Sequence, residues 1–210
     1  MMKKNIKSSK TRFVKDSMGK IEVPEKALYG AQTQRAKLNF PISDLKLPKE
    51  FIDAVIIIKR SAANVNFKLK KINSSQKSLI VKACDYLLDS QYEDEFPVDV
   101  FQTGSGTSTN MNVNEVIASI SNSFNKTTKT TIHPNDHVNM GQSSNDVIPT
   151  AIHIAASIMI DENLIPKLIE IEKSLLKKEK EFANVLKIGR THLQDATPMT
   201  LGQEFSGYKY

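Results

Sequence analysis

Three segments of the sequence are unusually dense in hydroxyl and amide side chains. They are TGSGTSTNMNVNEV at residues 103–116, HPNDHVNMGQSSND at residues 133–146 and GRTHLQDATPMTLGQE at residues 189–204. Ser, Thr and Asn side chains, together with the N–H groups at the start of a helix, can hold carboxylate or phosphate oxygens. The same residue types are preferred in N-caps and turns. Anion binding and helix capping therefore both stay open from spacing alone.

His192 is the histidine whose surroundings suit proton transfer. It stands in the third polar segment, between Thr191 and a Gln194-Asp195 pair, and histidine titrates near neutral pH. His153 falls instead within the apolar stretch VIPTAIHIAAS. That setting predicts a histidine of the core or of an interface.

The same segments argue against a nucleotide-binding loop and against a metal site. The GSGT sequence at residues 104–107 lacks the Lys-Ser/Thr end of a nucleotide-phosphate loop, and no clean strand precedes it. His133, Asp136 and His137 have a spacing that a metal could use. Pro134 disfavours the helix that would bring the two histidines together. We therefore predict no metal site.

The composition is that of an ordinary globular protein and argues against nucleic acid as a partner. The 210 residues carry a formal net charge of +6, but only four of the 29 basic residues are arginines and tryptophan is absent. Proteins that bind nucleic acid usually combine clustered Arg with exposed aromatic side chains. The single cysteine, Cys84, excludes a disulfide framework and is predicted to lie in the core. No apolar run suits a signal peptide or a membrane span, so the predicted setting is the cytoplasm.

The elements that must carry the three segments are mostly helices. A short hairpin is predicted in RFVKDSMGKIEV, with its turn at residues 16–19. Apolar spacing predicts one helix from Lys49 to about Lys70, a second from an N-cap at Ser74 or Ser75, and a third over Leu164–Phe182. The first two polar segments are predicted to be loops that feed helices, and the third a polar loop. The predicted apolar stripe of the helix that begins at Lys49 consists of Phe51, Val55, Ile58, Ala62, Val65 and Leu69.

Four ordered blocks carry a resemblance to a known family. They are ALYGAQTQR at residues 27–35 and the three polar segments, and the resemblance covers the chain from about Arg12 to Tyr210. The chain resembles the fumarase/aspartase superfamily, and within it the class II fumarate hydratases. Aspartases tend to have Gln after the Thr of the GRT block, whereas His192 is similar to the fumarase form.

The resemblance implies reversible anti addition of water to fumarate, giving (S)-malate, a tricarboxylic acid cycle reaction that needs neither a metal nor an organic cofactor. It implies that His192 is the general acid/base partner, which positions or activates the water. A second, peripheral dicarboxylate site is implied at His133, Asn135 and Asp136, where the family's usual nearby Arg is replaced by Thr130. The residues implied to hold the substrate carboxylates are Ser105, Thr107, Ser143, Ser144, Asn145 and Thr191.

The resemblance also implies a fold and an assembly. It implies a mainly α fold, in which an N-terminal helical domain with a short β-hairpin leads into a central bundle of long helices that builds a homotetramer. We expect a flexible N-terminus over residues 1–11, the N-terminal lyase domain over residues 12–139 and the start of the central bundle over residues 140–210. The family's GSSxMPxKxNP-type loop, which holds the catalytic Ser base and a substrate-binding Lys, does not occur in these 210 residues. We therefore expect the 210-residue chain alone to be inactive.

Two alternative functions stay open. The first is an aspartate ammonia-lyase or another lyase of the superfamily, which would release ammonia from aspartate. The second is a non-catalytic scaffold that keeps the dicarboxylate-binding loops but lacks the base. Binding of a dicarboxylate without turnover would identify the scaffold.

Overall fold

The computed structural model describes residues 10–125 and 130–210, so the expected flexible N-terminus lies almost wholly outside the described residues. The chain forms two compact units, Met1–Ala155 and Ala156–Tyr210. The mainly α class with a short β-hairpin is confirmed. The expected domain boundary after residue 139 stays a prediction.

The first unit begins with the predicted hairpin. Strands β1 (Thr11–Asp16) and β2 (Gly19–Pro24) pair antiparallel, with Asp16 opposite Gly19. Gly19 has φ +112°, a conformation that glycine adopts without a Cβ penalty. The Asp16 carboxylate accepts a hydrogen bond from Arg35 Nε at 2.9 Å. The pKa of Asp16 is lowered chiefly by that bond. Because Arg35 belongs to the helix Ala31–Asn39, the ion pair connects the turn of the hairpin to this helix.

In the part of the first unit that the structure describes, most residues belong to five helices. A single 3₁₀ turn at Glu93–Glu95 and a π-helical turn at Pro134–Val138 lie in the connections. The helices are α1 (Ala31–Asn39), α2 (Lys49–Lys68), α3 (Ser74–Leu88), α4 (Thr107–Phe124) and α5 (Ser144–Met159).

One predicted helix boundary needs correction. Helix α2 ends at Lys68, close to the predicted end at about Lys70, and Lys70 has φ +58°. The N-cap of α3 is Asn73, not Ser74 or Ser75. Asn73 accepts a hydrogen bond from Gln76 N, and the Gln76 side chain accepts one from Asn73 N. This reciprocal capping box satisfies two N–H groups at once.

The core of the first unit lies where α3 packs on α2 and α4. Cys84 is fully buried there, as predicted, and burial raises the pKa of its thiol to about 12. The predicted stripe of α2 is partly wrong, because Ile56 and Lys59 are fully buried whereas Val65 and Leu69 are exposed. The buried side of α2 is therefore rotated relative to the prediction.

The second unit is a helical segment, a hairpin and a terminal helix. One π-helical turn (Ile160–Leu164) leads into α6 (Ile165–Glu181), which is followed by β3 (Leu186–Thr191), β4 (Gln194–Thr200) and α7 (Leu201–Lys209). The prediction of a polar loop over the third segment is wrong, because most of that segment forms the β3–β4 hairpin.

Helix α7 packs closely against the end of α6. A Cβ at Gly202 would lie 2.5 Å from the carbonyl oxygen of Glu179, so the two backbones leave no room for a side chain. Lys209 Nζ donates to Glu179 at 2.8 Å. Among the described residues, no helix is long and apolar enough to cross a membrane.

Candidate active site

The first two polar segments meet at the starts of two helices. Thr107 is the first residue of α4 and Ser144 is the first residue of α5. Their hydroxyl oxygens are 3.0 Å apart, and the Ser105 hydroxyl lies 2.8 Å from that of Thr107. We call Ser105, Thr107 and Ser144 the hydroxyl cluster. Ser105 and Thr107 are exposed and Ser144 is partly exposed, so the cluster is accessible to a ligand.

Gly106 makes the turn that brings the cluster together. It precedes α4 in the left-handed region at φ +68°, where an L side chain is strained. A Cβ at this position would lie 2.9 Å from Ile148 Cγ1 on α5. The turn before α4 therefore lies directly against α5.

Helix capping accounts for the contacts of Ser143 in the second polar segment. The Ser143 carbonyl accepts the N–H groups of Asp146 and Val147 at 3.1 and 2.9 Å, and the Ser143 hydroxyl accepts that of Asn145 at 3.2 Å. Ser143 thus serves the start of α5, while Asn145 is exposed beside it. The N-terminus of each helix carries partial positive charge. Two such termini with adjoining hydroxyl groups can hold an anion without a full charge of their own.

The polar segment before α4 is not the loop that the sequence predicted. Because α4 begins at Thr107, its asparagines lie on the helix, and Asn110, Asn112 and Asn114 are buried. Asn112 Nδ2 donates to the Glu95 carbonyl at 2.9 Å. The amide side chains of this segment are thus buried inside the unit, whereas the hydroxyl cluster at the start of the helix is accessible.

Lys59 is a buried polar residue that sequence reasoning missed. It is fully buried on α2, and its ammonium group donates to Asn110 Oδ1 at 2.7 Å, Asn139 Oδ1 at 2.9 Å and Gln142 Oε1 at 3.0 Å. Burial lowers the pKa of Lys59 to about 7. The sequence signal for its burial was helical spacing. Lys59 lies four residues after Val55 and four before Ala63, both of which are buried on the same side of α2.

Thr191 and His192 belong to the second unit and lie at the end of the β3–β4 hairpin. Thr191 pairs with Gln194, which leaves His192 and Leu193 as a two-residue turn with φ +50° and +60°. Positive φ at both positions indicates a type I′ turn, which usually contains Asn or Gly. Thr191, His192 and Leu193 are exposed, so the histidine is accessible.

The expected peripheral site consists of surface residues around the π-helical turn. The N–H of Asp136 donates to His133 Nδ1 at 3.2 Å, so this histidine caps the turn. His133 and Asn135 line a cavity of about 460 Å³, together with Arg12 and Lys15. The Thr130 carbonyl accepts a hydrogen bond from the Asn125 side chain.

His153 is not a core histidine. Its side chain is exposed on α5, and its Nδ1 lies 2.8 Å from the Pro149 carbonyl oxygen one turn earlier. The apolar residues around it in sequence lie on other sides of the helix, where Ala151 and Ala155 are buried. Within residues 10–125 and 130–210, no group of three His, Cys, Asp or Glu side chains could hold a metal ion.

The helical fold is that of a family of lyases. A family profile described as "Lyase" matches residues 19–210, and the chain belongs to this family. The resemblance seen in the sequence is confirmed, because the relatives are class II fumarate hydratases. The chain is 51% identical to that of Wigglesworthia glossinidia brevipalpis and 52% identical to that of Rickettsia felis, each over 200 residues. These alignments cover 94% of the chain and 43% of each relative.

Solved structures agree with the sequence relatives. The class II fumarase of Schistosoma mansoni superposes with a TM-score of 0.88 at 46% identity, over 95% of this chain and 43% of that one. The fumarate lyase:delta crystallin of Brucella melitensis gives the same TM-score at 43% identity, over 95% of this chain and 47% of that one. The chain therefore spans less than half the length of the relatives it matches.

Proposed function

We propose that the chain supplies carboxylate-binding groups and a proton-transfer histidine to an enzyme that reversibly hydrates fumarate to (S)-malate. The observation that supports this most directly is the hydroxyl cluster, in which Thr107 and Ser144 meet at 3.0 Å across two helix N-termini. The cluster belongs to a chain about half identical to class II fumarate hydratases. No metal or organic cofactor is part of the proposal.

The chemistry explains why neutral donors suit this substrate. A proton alpha to a carboxylate is weakly acidic, so its removal from malate requires stabilisation of a dianionic aci-carboxylate. Fixed donors in a dry site provide this better than water, because they need no reorganisation as charge develops. Hydroxyl groups and helix N–H groups are donors of this kind, and we assign them to the substrate carboxylates.

We assign the remaining expected residues by the same chemistry. Ser143 and Asn145 complete the carboxylate-binding set at the start of α5. On the β3–β4 hairpin of the second unit, Thr191 binds a substrate carboxylate. His192 acts as general acid/base partner for the water. His133, Asn135 and Asp136 form a peripheral dicarboxylate site beside the cavity that Arg12 and Lys15 line.

We also propose a cytoplasmic homotetramer. The exposed apolar side chains of α6 support the assembly, because Leu168 and Ile171 are each more than half exposed. Large exposed apolar patches mark interaction surfaces. Light scattering coupled to size exclusion of the product of the complete reading frame tests the tetramer.

The activity is tested on the product of the complete reading frame by following the ultraviolet absorbance of fumarate. We expect malate formation and no ammonia release from aspartate; the reverse result would establish an ammonia-lyase. Residues 1–210 expressed alone are expected to show no turnover of either substrate. If neither substrate reacts with the complete product, the proposed function is wrong.

Matched variants test the assigned roles. Thr107→Ala or Ser144→Ala should lower kcat/KM by about 10–100-fold, the loss expected for one donor to a charged group. Thr150→Ala removes an exposed hydroxyl from the same helix as Ser144 and should have no effect. His192→Asn should cost about 10²–10⁴-fold, whereas His153→Asn, at an exposed histidine, should leave the rate unchanged.

A further inference from the structure

Lys59 connects two separate parts of the first unit. Its three acceptors are the side-chain oxygens of Asn110 on α4 and of Asn139 and Gln142 in the segment before α5. A second bond joins the same parts directly, because Asn110 Nδ2 donates to Asn139 Oδ1 at 3.1 Å. Lys59 therefore lies at the centre of a buried amide network rather than in an ion pair.

The network uses the full donor capacity of the lysine. An ammonium group has three N–H donors, and the structure gives each of them an amide oxygen. The Cys84 thiol on α3 is the ionisable group beside Lys59 that acts on its pKa, and burial keeps this thiol neutral. The neighbouring Arg60 forms its own ion pair with Asp85 at 2.7 Å.

A buried charge without a counter-ion is an expensive way to fill a core. An apolar side chain of similar volume usually gives equal or greater stability. The cost indicates a role beyond packing, and the location of the acceptors indicates which one. Asn110 lies one turn into α4, since its N–H donates to the Gly106 carbonyl at 3.1 Å. Gln142 directly precedes Ser143, at the start of α5.

We propose that Lys59 is a positioning residue for the hydroxyl cluster, holding the start of α4 and the start of α5 at the separation that lets Thr107 meet Ser144. The proposal rests on the proposed function only in taking this cluster to be a carboxylate-binding site. Lys59 does not touch the ligand; it acts through Asn110, Asn139 and Gln142. Its charge also adds to the positive field of the two helix N-termini.

The test compares Lys59→Met with Lys68→Met in the full chain. Methionine keeps the length of the side chain but has no donor, and Lys68 is an exposed lysine on the same helix. In Lys59→Met we expect the nuclear Overhauser contacts between the Thr107 and Ser144 side chains to disappear while the core resonances remain. We expect the affinity for succinate, an unreactive dicarboxylate, to fall at least about tenfold. Lys68→Met should change neither.

A third readout separates positioning from simple packing. The carbon-13 resonance of the lysine Cε reports the protonation of Lys59, and bound succinate should raise the pKa of this group by about half a unit or more, because a nearby anion favours the ammonium form. A lysine that merely fills the core away from the ligand would not respond. If Lys59→Met fails to fold, Asn139→Leu removes the oxygen that accepts from both Lys59 and Asn110 and the amide that donates to the Gln142 carbonyl. This variant should weaken succinate binding about threefold.

The possible results are distinct. Unchanged Thr107–Ser144 contacts and unchanged succinate affinity in folded Lys59→Met would overturn the positioning role and leave the proposed function intact. Loss of those contacts in Lys59→Met, with no succinate binding by the unmodified chain, would support the positioning role and remove the carboxylate site from the proposed function.

Discussion

Replacing Gly106 with alanine should destabilise the first unit by about 3 kcal/mol and should separate the two halves of the hydroxyl cluster. Two costs combine at this position. The φ of +68° is left-handed, which costs an L-residue about 1–2 kcal/mol. The new Cβ would also meet Ile148 Cγ1 at 2.9 Å and Cδ1 at 3.0 Å, and overpacking of this kind costs about 1–3 kcal/mol.

Gly104→Ala is the matched control, two residues away on the same turn. A Cβ at Gly104 meets nothing within 4 Å and the residue does not have positive φ. Its effect on the free energy of unfolding should be within about 0.5 kcal/mol. Urea unfolding, followed by circular dichroism, measures both variants under identical conditions.

A double variant separates the two costs. Ile148→Ala removes the side-chain atoms that the new Cβ would meet, so the steric part of the Gly106→Ala cost should vanish in the pair, with a coupling free energy of about 1–2 kcal/mol. The backbone part should persist. Equal stabilities of Gly106→Ala and Gly104→Ala would refute the reasoning that this turn requires glycine.

Three further results are expected. Gly202→Ala should open the contact with the Glu179 carbonyl, where the new Cβ would lie 2.5 Å from backbone, and limited proteolysis should then cut the second unit faster than in the unmodified chain. Burial lowers the pKa of Lys59 from 10.5 to about 7. Between these two pH values the unfolded chain binds one more proton than the folded chain, so the free energy of unfolding should rise from about pH 7 to about pH 10, by up to about 5 kcal/mol. A pH series of unfolding curves in which Lys59→Met showed the same rise would contradict this. The exposed apolar side of α6 should make residues 1–210 self-associate as concentration increases, and sedimentation velocity should show this association removed by Leu168→Glu with Ile171→Glu.

Local pattern predicted the first hairpin and the helices because their cues lie within a few residues of one another. Alternating residues and the Asp16–Gly19 turn predict β1 and β2, whereas β4 contains Pro198, a residue that is rare inside strands. Proline is tolerated there because each strand of a two-stranded sheet has a free edge. The polar composition of residues 189–204 therefore predicts a loop, although most of this segment pairs as a hairpin.

The hydroxyl cluster was predictable only as a set of candidates. Ser105, Thr107 and Ser144 were identified from composition and resemblance, but the contact between Thr107 and Ser144 joins residues 37 positions apart. The Lys59 network is harder to predict from local sequence, because its acceptors lie 51–83 residues away along the chain. Spacing along a helix can identify a lysine on the buried side, but it does not identify the amide oxygens that the fold brings to it.

The turn at His192 and Leu193 sets stability and chemistry against each other. Both residues hold left-handed backbone, which Asn and Gly adopt at lower cost. Directed evolution for heat tolerance alone would therefore favour Asn-Gly at this hairpin end and would discard the imidazole in doing so. A library meant to yield a robust catalyst should hold position 192 fixed and vary Leu193, where glycine would relax half of the turn while sparing the histidine.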